Sequence, residues 1–281
     1  MHQSLSKLCL IFSSYLPLVY RVIILFIKLV NKHSREFIKY IKQNSFTKNM
    51  KLPKKDIWFI MAAYNEEKSV AKTIKNLQKE GYFNLVVIDD GSKDKTFEVA
   101  ENAGAIVLQH KINRGQGAAL RTGTDYALKH GAKYIIHFDS DGQHRTEDIT
   151  AMITPVLKEE VDITLGSRYL DKSMKTKMPL IRTFYVKGGL IFTKIMTGLK
   201  LTDTHNGFRA MNRKTAKKLE ITQDGMEHAS EILELIARNK VKYKEVPVII
   251  KYTDEIMQNS MNSFSMGIKI ILRTIWYKLF K

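Results

Sequence analysis

Asp139-Ser140-Asp141-Gly142-Gln143-His144 places two carboxylates one residue apart, followed by a glycine, an amide and an imidazole. Two such carboxylates at the end of a strand can face one hard divalent cation. Mg²⁺ and Mn²⁺ prefer oxygen ligands of this kind and complete their shells with substrate phosphates and water. The same pattern also serves in plain turns, where aspartates bond to nearby backbone amides, so the motif alone leaves both readings open. The apolar run Tyr134-Ile135-Ile136-His137-Phe138 predicts a buried strand leading into Asp139, and Thr146 to Lys158 reads as the helix behind it. In open α/β sheets, ligands collect at such strand ends.

Three further strand ends carry polar signatures. The first predicted strand runs into Ala63-Tyr64-Asn65-Glu66-Glu67 and the second into Asp89-Asp90-Gly91-Ser92. After the third comes Asn113-Arg114-Gly115-Gln116-Gly117, a glycine-bearing helix start whose backbone amides suit a phosphate or a ribose edge. It is neither a Gly-x-Gly-x-x-Gly fingerprint nor a P-loop. Each stretch would also serve as a capped turn; four of them on neighbouring strands describe a nucleotide-diphosphate site with a cation.

The elements that must position these residues alternate. Strands are expected at Ile57–Ala62, Leu85–Ile88, Ala105–Leu108, Tyr134–Phe138 and Ile163–Gly166, with helices at Ser69–Glu80, Thr96–Ala103 and Ala118–Lys129 between them. That rhythm specifies an α/β fold with a mostly parallel sheet covered on both faces. After Gly166 the rhythm changes. A polar loop is expected at 171–177, helices at Ile181–Met196 and Met226–Asn239, and strands at Gly207–Met211 and Val246–Tyr252, the last an edge or strand start because of Pro247.

The chain has 281 residues, 44% of them hydrophobic, with 46 Lys plus Arg against 28 Asp plus Glu and a net charge of +18. Such an excess favours anionic partners: nucleic acid, an anionic membrane surface or phosphorylated substrates. The basic residues form no block and no nucleic-acid-binding signature occurs, so nucleic acid is not expected as a partner. Cys9 is the single cysteine, which excludes an internal disulfide.

Residues 8–30 are the most apolar stretch, interrupted by Arg21 and containing Pro17. They read as a membrane-associating segment that either lies in the interface or spans, or as a helix packed on the chain's own core. The basic flank Lys28, Lys32, His33, Arg35, Lys39 and Lys42 would keep the rest on the cytoplasmic side, peripheral or anchored by a single span. The expected organisation is a membrane-associating segment at 1–45, a linker at 46–56, a catalytic domain at 57–252 and a basic amphipathic helix at 253–281. That last helix is either docked on the core or laid on a membrane surface.

The ordered motifs Ala-Tyr-Asn-Glu-Glu, Asp-Asp-Gly-Ser, Asn-Arg-Gly-Gln-Gly, Asp-Ser-Asp-Gly-Gln-His, Gly-Ser-Arg (166–168) and Asp-Thr-His-Asn-Gly-Phe-Arg (203–209) resemble family 2 glycosyltransferases of the GT-A fold. Within that family they look closest to the dolichyl- or polyprenyl-phosphate sugar transferase branch. The resemblance covers roughly residues 57–252. It implies an inverting, Mg²⁺- or Mn²⁺-dependent hexosyltransferase that takes a GDP- or UDP-linked sugar and delivers it to a polyprenyl phosphate at a membrane surface. It equally admits a transferase that extends a lipid-linked or cell-surface glycan on a sugar hydroxyl. A catalytically idle nucleotide- or membrane-binding module on the same fold is the remaining alternative.

By that resemblance Ala63, Tyr64 and Glu66 would border the base and ribose, and Ile88 and Asp90 would hold the base. Ser140 and Asp141 would meet the donor, while Asp139, Asp141 and Gln143 would gather round the metal. Arg168 and Arg182 would grip phosphate, as guanidinium forks do well, and His205 and Arg209 would touch phosphate or sugar. Asp141 and Arg168 are thus catalytic candidates. Glu227, with Asp224 behind it, is the general-base candidate for a hydroxyl acceptor; a carboxylate favoured by the helix dipole is the other reading. Polyprenyl-phosphate mannosyltransferases usually carry a basic Gly-x-Ser-Lys-like segment after the last strand. Here Asp254 to Ser260 has neither glycine nor lysine, so the motifs support the donor side more fully than the lipid-phosphate acceptor.

Overall fold

The computed structural model describes residues 52–170, 180–204 and 206–250. The segments expected at 1–45 and 253–281, the polar loop at 171–177 and His205 lie outside the described residues. Arg182 falls in a described helix, but its side chain is outside them too.

Seven strands form one sheet: β1 (Ile57–Ala63), β2 (Leu85–Asp89), β3 (Ile106–Gln109), β4 (Tyr134–His137), β5 (Ile163–Ser167), β6 (Arg209–Asn212) and β7 (Tyr243–Pro247), in the order β3-β2-β1-β4-β6-β5-β7. Helices α1 (Val70–Lys79), α2 (Thr96–Asn102), α3 (Gln116–Lys129) and α4 (Ile149–Leu157) follow the first four strands. Then come α5 (Leu180–Thr197), α6 (Arg213–Lys218) and α7 (His228–Arg238).

β1 lies near the middle of the sheet and has six of its seven residues buried, as expected of a strand covered on both faces. Alternate residues point to opposite faces. Phe59 and Met61 join Val70, Ile74 and Leu77 of α1 and Met152 and Ile153 of α4 in one core. Trp58 and Ile60 join Ala119 and Leu120 of α3 and Ile232 and Ile236 of α7 in the other. Val70, Ile74 and Leu77 recur at helical spacing and are fully buried, each contributing about 1.5–3 kcal/mol of transfer free energy. Gly123 lets α3 lie close on the sheet, since a Cβ there would collide with Ile60 and Ile88.

β1 pairs in parallel with β2 and β4, and β2 with β3, so all four carboxyl ends meet at one edge. Ala63 stands opposite Asp89 and Ile60 opposite His137 in that register. β6 runs antiparallel between β4 and β5, bringing Arg209 opposite His137 on one side and Leu165 on the other. The reversed strand thereby delivers a residue from late in the chain to the same edge.

The first eight expected elements are present with ends shifted by one to three residues, and residues 146–148 form a 3-10 turn ahead of α4. Two later expectations need correction. The short strand begins at Arg209, not Gly207. The last strand is Tyr243–Pro247 rather than Val246–Tyr252. It is an edge strand, so Lys244 can point to solvent, and a polar start disguised a strand whose apolar residues come at its end. The short helix α6 was not anticipated; Asn212 caps it by accepting from the Thr215 amide at 2.8 Å.

Candidate active site

The carboxylates of the 139–144 turn are held differently. Ser140 at its centre is buried, its hydroxyl donates to the Ala62 carbonyl at 2.8 Å, and its own carbonyl accepts from Thr73 of α1 at 3.1 Å. Gly142, with φ of +75°, turns the chain in the left-handed region. One Asp139 oxygen meets His144 Nε2 at 2.8 Å, and the other faces Gln116 Nε2 at 3.5 Å. On a third side lies Gly207, where a Cβ would stand 2.5 Å from Asp139 Oδ1. Asp141 accepts from the backbone amide of Gln143 at 2.9 Å and from its side-chain amide at 2.6 Å.

Burial alone would raise the Asp139 pKa, but the His144 imidazole, with Arg209 and His228 beyond it, holds it below the usual carboxylate value. Asp141 is pushed up to about 6 by burial and by the neighbouring Asp139 carboxylate. Two carboxylates that oppose each other's ionisation are relieved by a cation between or beside them. No group of three or more His, Cys, Asp or Glu able to hold a metal occurs among the described residues. The donor set is therefore two hard carboxylate ligands, with the Gln143 amide beside them. That suits a Mg²⁺- or Mn²⁺-like ion that takes the rest of its shell from diphosphate and water, and it does not suit a closed protein cage.

Asp90, at the end of β2, is turned inward. Its Oδ1 accepts from the Arg114 amide at 3.0 Å and its Oδ2 from the Gly115 amide at 2.7 Å, and His110 Nδ1 lies 2.6 Å from Oδ1. Three of the roughly four acceptor positions of a carboxylate are thereby occupied. Ile88 is fully buried beneath Gly123 in the α3-side core, so its side chain shapes the site from below and presents no face to a ligand. Asp89 likewise serves local structure, receiving the Ser92 amide and the Gln109 side chain.

At the end of β1, Asn65 adopts φ of +56°, which asparagine tolerates, and its amide donates to Ser92 Oγ at 2.9 Å. Its side chain accepts from the Lys93 amide at 2.9 Å, fastening the first two strand-end loops together. Tyr64 is exposed on this rim and Ala63 is buried behind it. The Glu66 carboxylate accepts from Ser69, and its backbone amide donates to Thr96 Oγ1 at 2.8 Å.

The other half of the site is built on ion pairs. Arg168 engages Asp203 through Nε at 2.7 Å and Nη2 at 2.8 Å, a two-pronged pair. Asp203 is itself fixed by its backbone amide, which donates to Glu245 of β7 at 3.0 Å. The Arg168 fork thus holds the 202–203 turn. Arg209 is buried with no hydrogen-bond partner for Nη1; burial lowers its pKa to about 10, opposed by Asp139 and Asp203. His137 and His228 flank it, their pKa values driven down to about 3 and about 4 by burial first and by the Arg209 charge next.

Asp224 pairs with Arg121 at 2.6 Å and more loosely with Arg114 at 3.5 Å. Its backbone carbonyl receives the Ala118 amide at 3.1 Å, and only glycine fits at 115 and 117 against the 223–224 backbone. The 113–117 loop is thus clamped to the start of α7. Glu227 stands at that start, buried, with its carboxylate folded against Gly225 and no capping bond from its side chain.

The structure thus brings Asp139, Asp141, Gln143, Arg209 and the 113–117 loop to one edge. His110, Gln116, Asp203, His137 and His228 were not anticipated from sequence. His110 alone lay outside every stretch read from the sequence; His137 and His228 stood in the strand at 134–138 and the helix start at 224–228 without a role of their own.

A mostly parallel seven-stranded sheet with a carboxylate pair and a helix start at its carboxyl edge is the GT-A fold. The family model for glycosyl transferase family 2 matches residues 58–220, and the chain belongs to that family. It is 42% identical to an uncharacterised protein of Methanocaldococcus jannaschii over 85% of this chain and 98% of that one. It is 32% identical to the UDP-N-acetylglucosamine–dolichyl-phosphate N-acetylglucosaminyltransferase of Methanococcus voltae, over 80% and 97% of the two chains. Among solved structures, glucosyl-3-phosphoglycerate synthase from Mycobacterium tuberculosis, in complex with Mn²⁺, uridine diphosphate and phosphoglyceric acid, superposes with a TM-score of 0.56. That match covers 77% of each chain at 17% identity, a likeness of fold.

Proposed function

We propose that this chain is an inverting glycosyltransferase that moves a hexose from a GDP- or UDP-linked sugar to a polyprenyl, dolichyl-type phosphate at the cytoplasmic face of a membrane. One observation carries the donor side of this reading: Asp139 is reached by His144 from its own turn and by Gln116 from the 113–117 loop. The carboxylate pair and the amide-bearing loop therefore lie side by side, where a sugar nucleotide's diphosphate would rest.

In this reading Asp139 and Asp141 hold a divalent ion, with Gln143 beside them. When bound, that ion supplies charge neutralisation for the departing nucleoside diphosphate. The rest is the work of the chain. The last acceptor position on Asp90 faces a base N–H, and Tyr64 with the Glu66 turn borders base and ribose. Arg209 keeps Asp139 ionised from behind. A lipid phosphate is anionic at neutral pH and attacks the anomeric carbon from the opposite face without a base. Arg182 and His205 would then orient it, while Arg168 holds the 202–203 turn through Asp203. The net charge of +18, the apolar stretch at 8–30 and the basic amphipathic stretch at 253–281 support an anionic membrane surface as the working place.

The test is a donor screen on full-length protein with Mg²⁺ or Mn²⁺, membrane lipid extract and a panel of sugar nucleotides, reading release of nucleoside diphosphate. Metal-dependent, lipid-dependent release from one donor is expected. No release from any donor with either ion overturns the reading.

A sugar hydroxyl as acceptor is the second reading, favoured by Glu227, a buried carboxylate at the start of α7, and by the commitment of the Arg168 fork to Asp203. A hydroxyl needs a base, and Glu227 would serve as one. Glu227→Gln separates the two: transfer retained supports phosphate, and transfer abolished in a folded variant supports hydroxyl.

A further inference from the structure

His110 has no part in the motifs, yet it is the most completely bonded histidine at the donor edge. It follows β3 directly, its backbone amide donating to the Asp89 carbonyl at 2.9 Å. Its ring is nearly buried between two elements: Nδ1 lies 2.6 Å from Asp90 Oδ1, and Nε2 lies 3.0 Å from Thr122 Oγ1 on α3. A ring nitrogen that faces a carboxylate carries the proton, so Nδ1–H donates to Asp90, and Thr122 can donate to the bare Nε2. The imidazole therefore sets the angle of the Asp90 carboxylate, and Thr122 sets the angle of the imidazole.

That angle has consequences two bonds away. The Asp90 carboxylate receives the successive amides of Arg114 and Gly115, which fixes the loop at the point where Gly115 takes φ of +106°. The loop lies so close over β2 that a Cβ at Gly91 would come within 2.7 Å of the Asn113 backbone nitrogen. One residue on, Gln116 begins α3 and reaches Asp139. A chain of contacts runs from Thr122 through His110, Asp90 and the loop amides to the Asp139 carboxylate.

We propose that His110 is a positioning residue for the donor: through Asp90 it holds the 113–117 loop in the shape that accepts a nucleoside diphosphate. The inference rests on the sugar-nucleotide reading above and adds to it the residue on which the shape of the cradle depends. His110 touches no ligand in this scheme. It acts by keeping two backbone amides and one side-chain amide in register with the carboxylate pair.

Calorimetry of UDP and of GDP, each with Mg²⁺, on the full-length protein tests this, together with hydrogen exchange at the Arg114 and Gly115 amides without nucleotide. His110→Phe keeps a ring but removes both bonds. It is expected to weaken binding of whichever nucleotide the wild type takes by about tenfold, the scale of one charge-assisted hydrogen bond, and to speed exchange at both amides. His110→Asn, which retains a donor toward Asp90, is expected to restore most of both. Thr122→Val, which removes only the far partner, is expected to cost roughly threefold and provides the measurement if His110→Phe does not fold. Unchanged affinity and protection in these variants overturns the inference, as does a lowered melting temperature with unchanged affinity, which marks a merely structural histidine. A wild type that binds neither nucleotide overturns the sugar-nucleotide reading, whereas wild-type binding with indifferent variants overturns the role of His110 alone.

Discussion

The two halves of the site handle charge in opposite ways. On the side of β1, β2 and β4 the carboxylates sit at strand ends and are satisfied by hydrogen bonds: loop amides on Asp90, the Gln143 amides on Asp141, imidazoles on Asp90 and Asp139. On the side of β5, β6 and β7 charge is met by charge, Arg168 by Asp203 and Arg209 by its proximity to Asp139 and Asp203. Amide donors leave a carboxylate its negative charge for a cation. Opposed charges cancel, and so hold a framework in place. In the proposed reading the first side meets the donor and the second fixes its walls.

Substitutions can break that contrast. The largest effect is expected on the first side: Asp139→Asn or Asp141→Asn removes half of the paired charge, and turnover should fall by about 10²–10³-fold, the usual scale for lost transition-state electrostatics. The melting temperature should change little for Asp141→Asn and fall for Asp139→Asn, which also withdraws charge from the buried Arg209. A variant that retains a tenth or more of wild-type turnover would show that the pair does not carry the reaction.

On the second side the order should reverse. Arg168→Met leaves the Asp203 carboxylate, only 1% exposed, without its two-pronged partner, and stability should fall by about 3 kcal/mol in denaturant unfolding. A loss below about 1 kcal/mol, no more than a surface pair is worth, would mean that the fork is available to a ligand after all.

Gly207→Ala tests the seam between the halves. Its new Cβ would press on the Asp139 carboxylate, and a crowded site of this kind costs about 1–3 kcal/mol. Divalent-ion binding should weaken along with stability, read by calorimetry with Mn²⁺. Stability lost with ion affinity intact would separate the glycine from the metal site.

A further effect is expected in acid. His137 and His228 are held neutral in the fold, with pKa values near 3 and near 4 against an ordinary 6.5. Between those limits the unfolded chain binds more protons than the folded one, so stability rises with pH through this window and is lost as pH falls from 6.5 toward 4. Melting temperature measured from pH 7 to pH 4 should decline, and His228→Asn should flatten the decline. A profile equally steep in the variant would place the acid sensitivity elsewhere.

Much of the first side was legible because its residues lie next to one another in the chain. A parallel strand ends where its apolar run ends, and the residues following it must lie at the sheet edge. Asp139, Asp141, Asp90 and the 113–117 loop could therefore be placed there by counting. The second side was less legible because β6 runs backwards. Arg209 lies 72 positions from His137, its partner across the ladder, and Arg168 lies 35 from Asp203; no local pattern records either pairing.

The sequence by itself determined the alternation of strands and helices, the sheet edge that carries the polar residues, and membership of glycosyl transferase family 2. Local spacing suffices for these, because secondary structure and strand ends follow from short-range periodicity. Only the tertiary structure decided how each of those residues is engaged. Asp90 faces the loop amides, Arg168 faces Asp203, and His110 joins the donor edge without belonging to any motif. Side-chain partners are chosen by packing across strands and turns that are distant in sequence, where proximity depends on the whole fold.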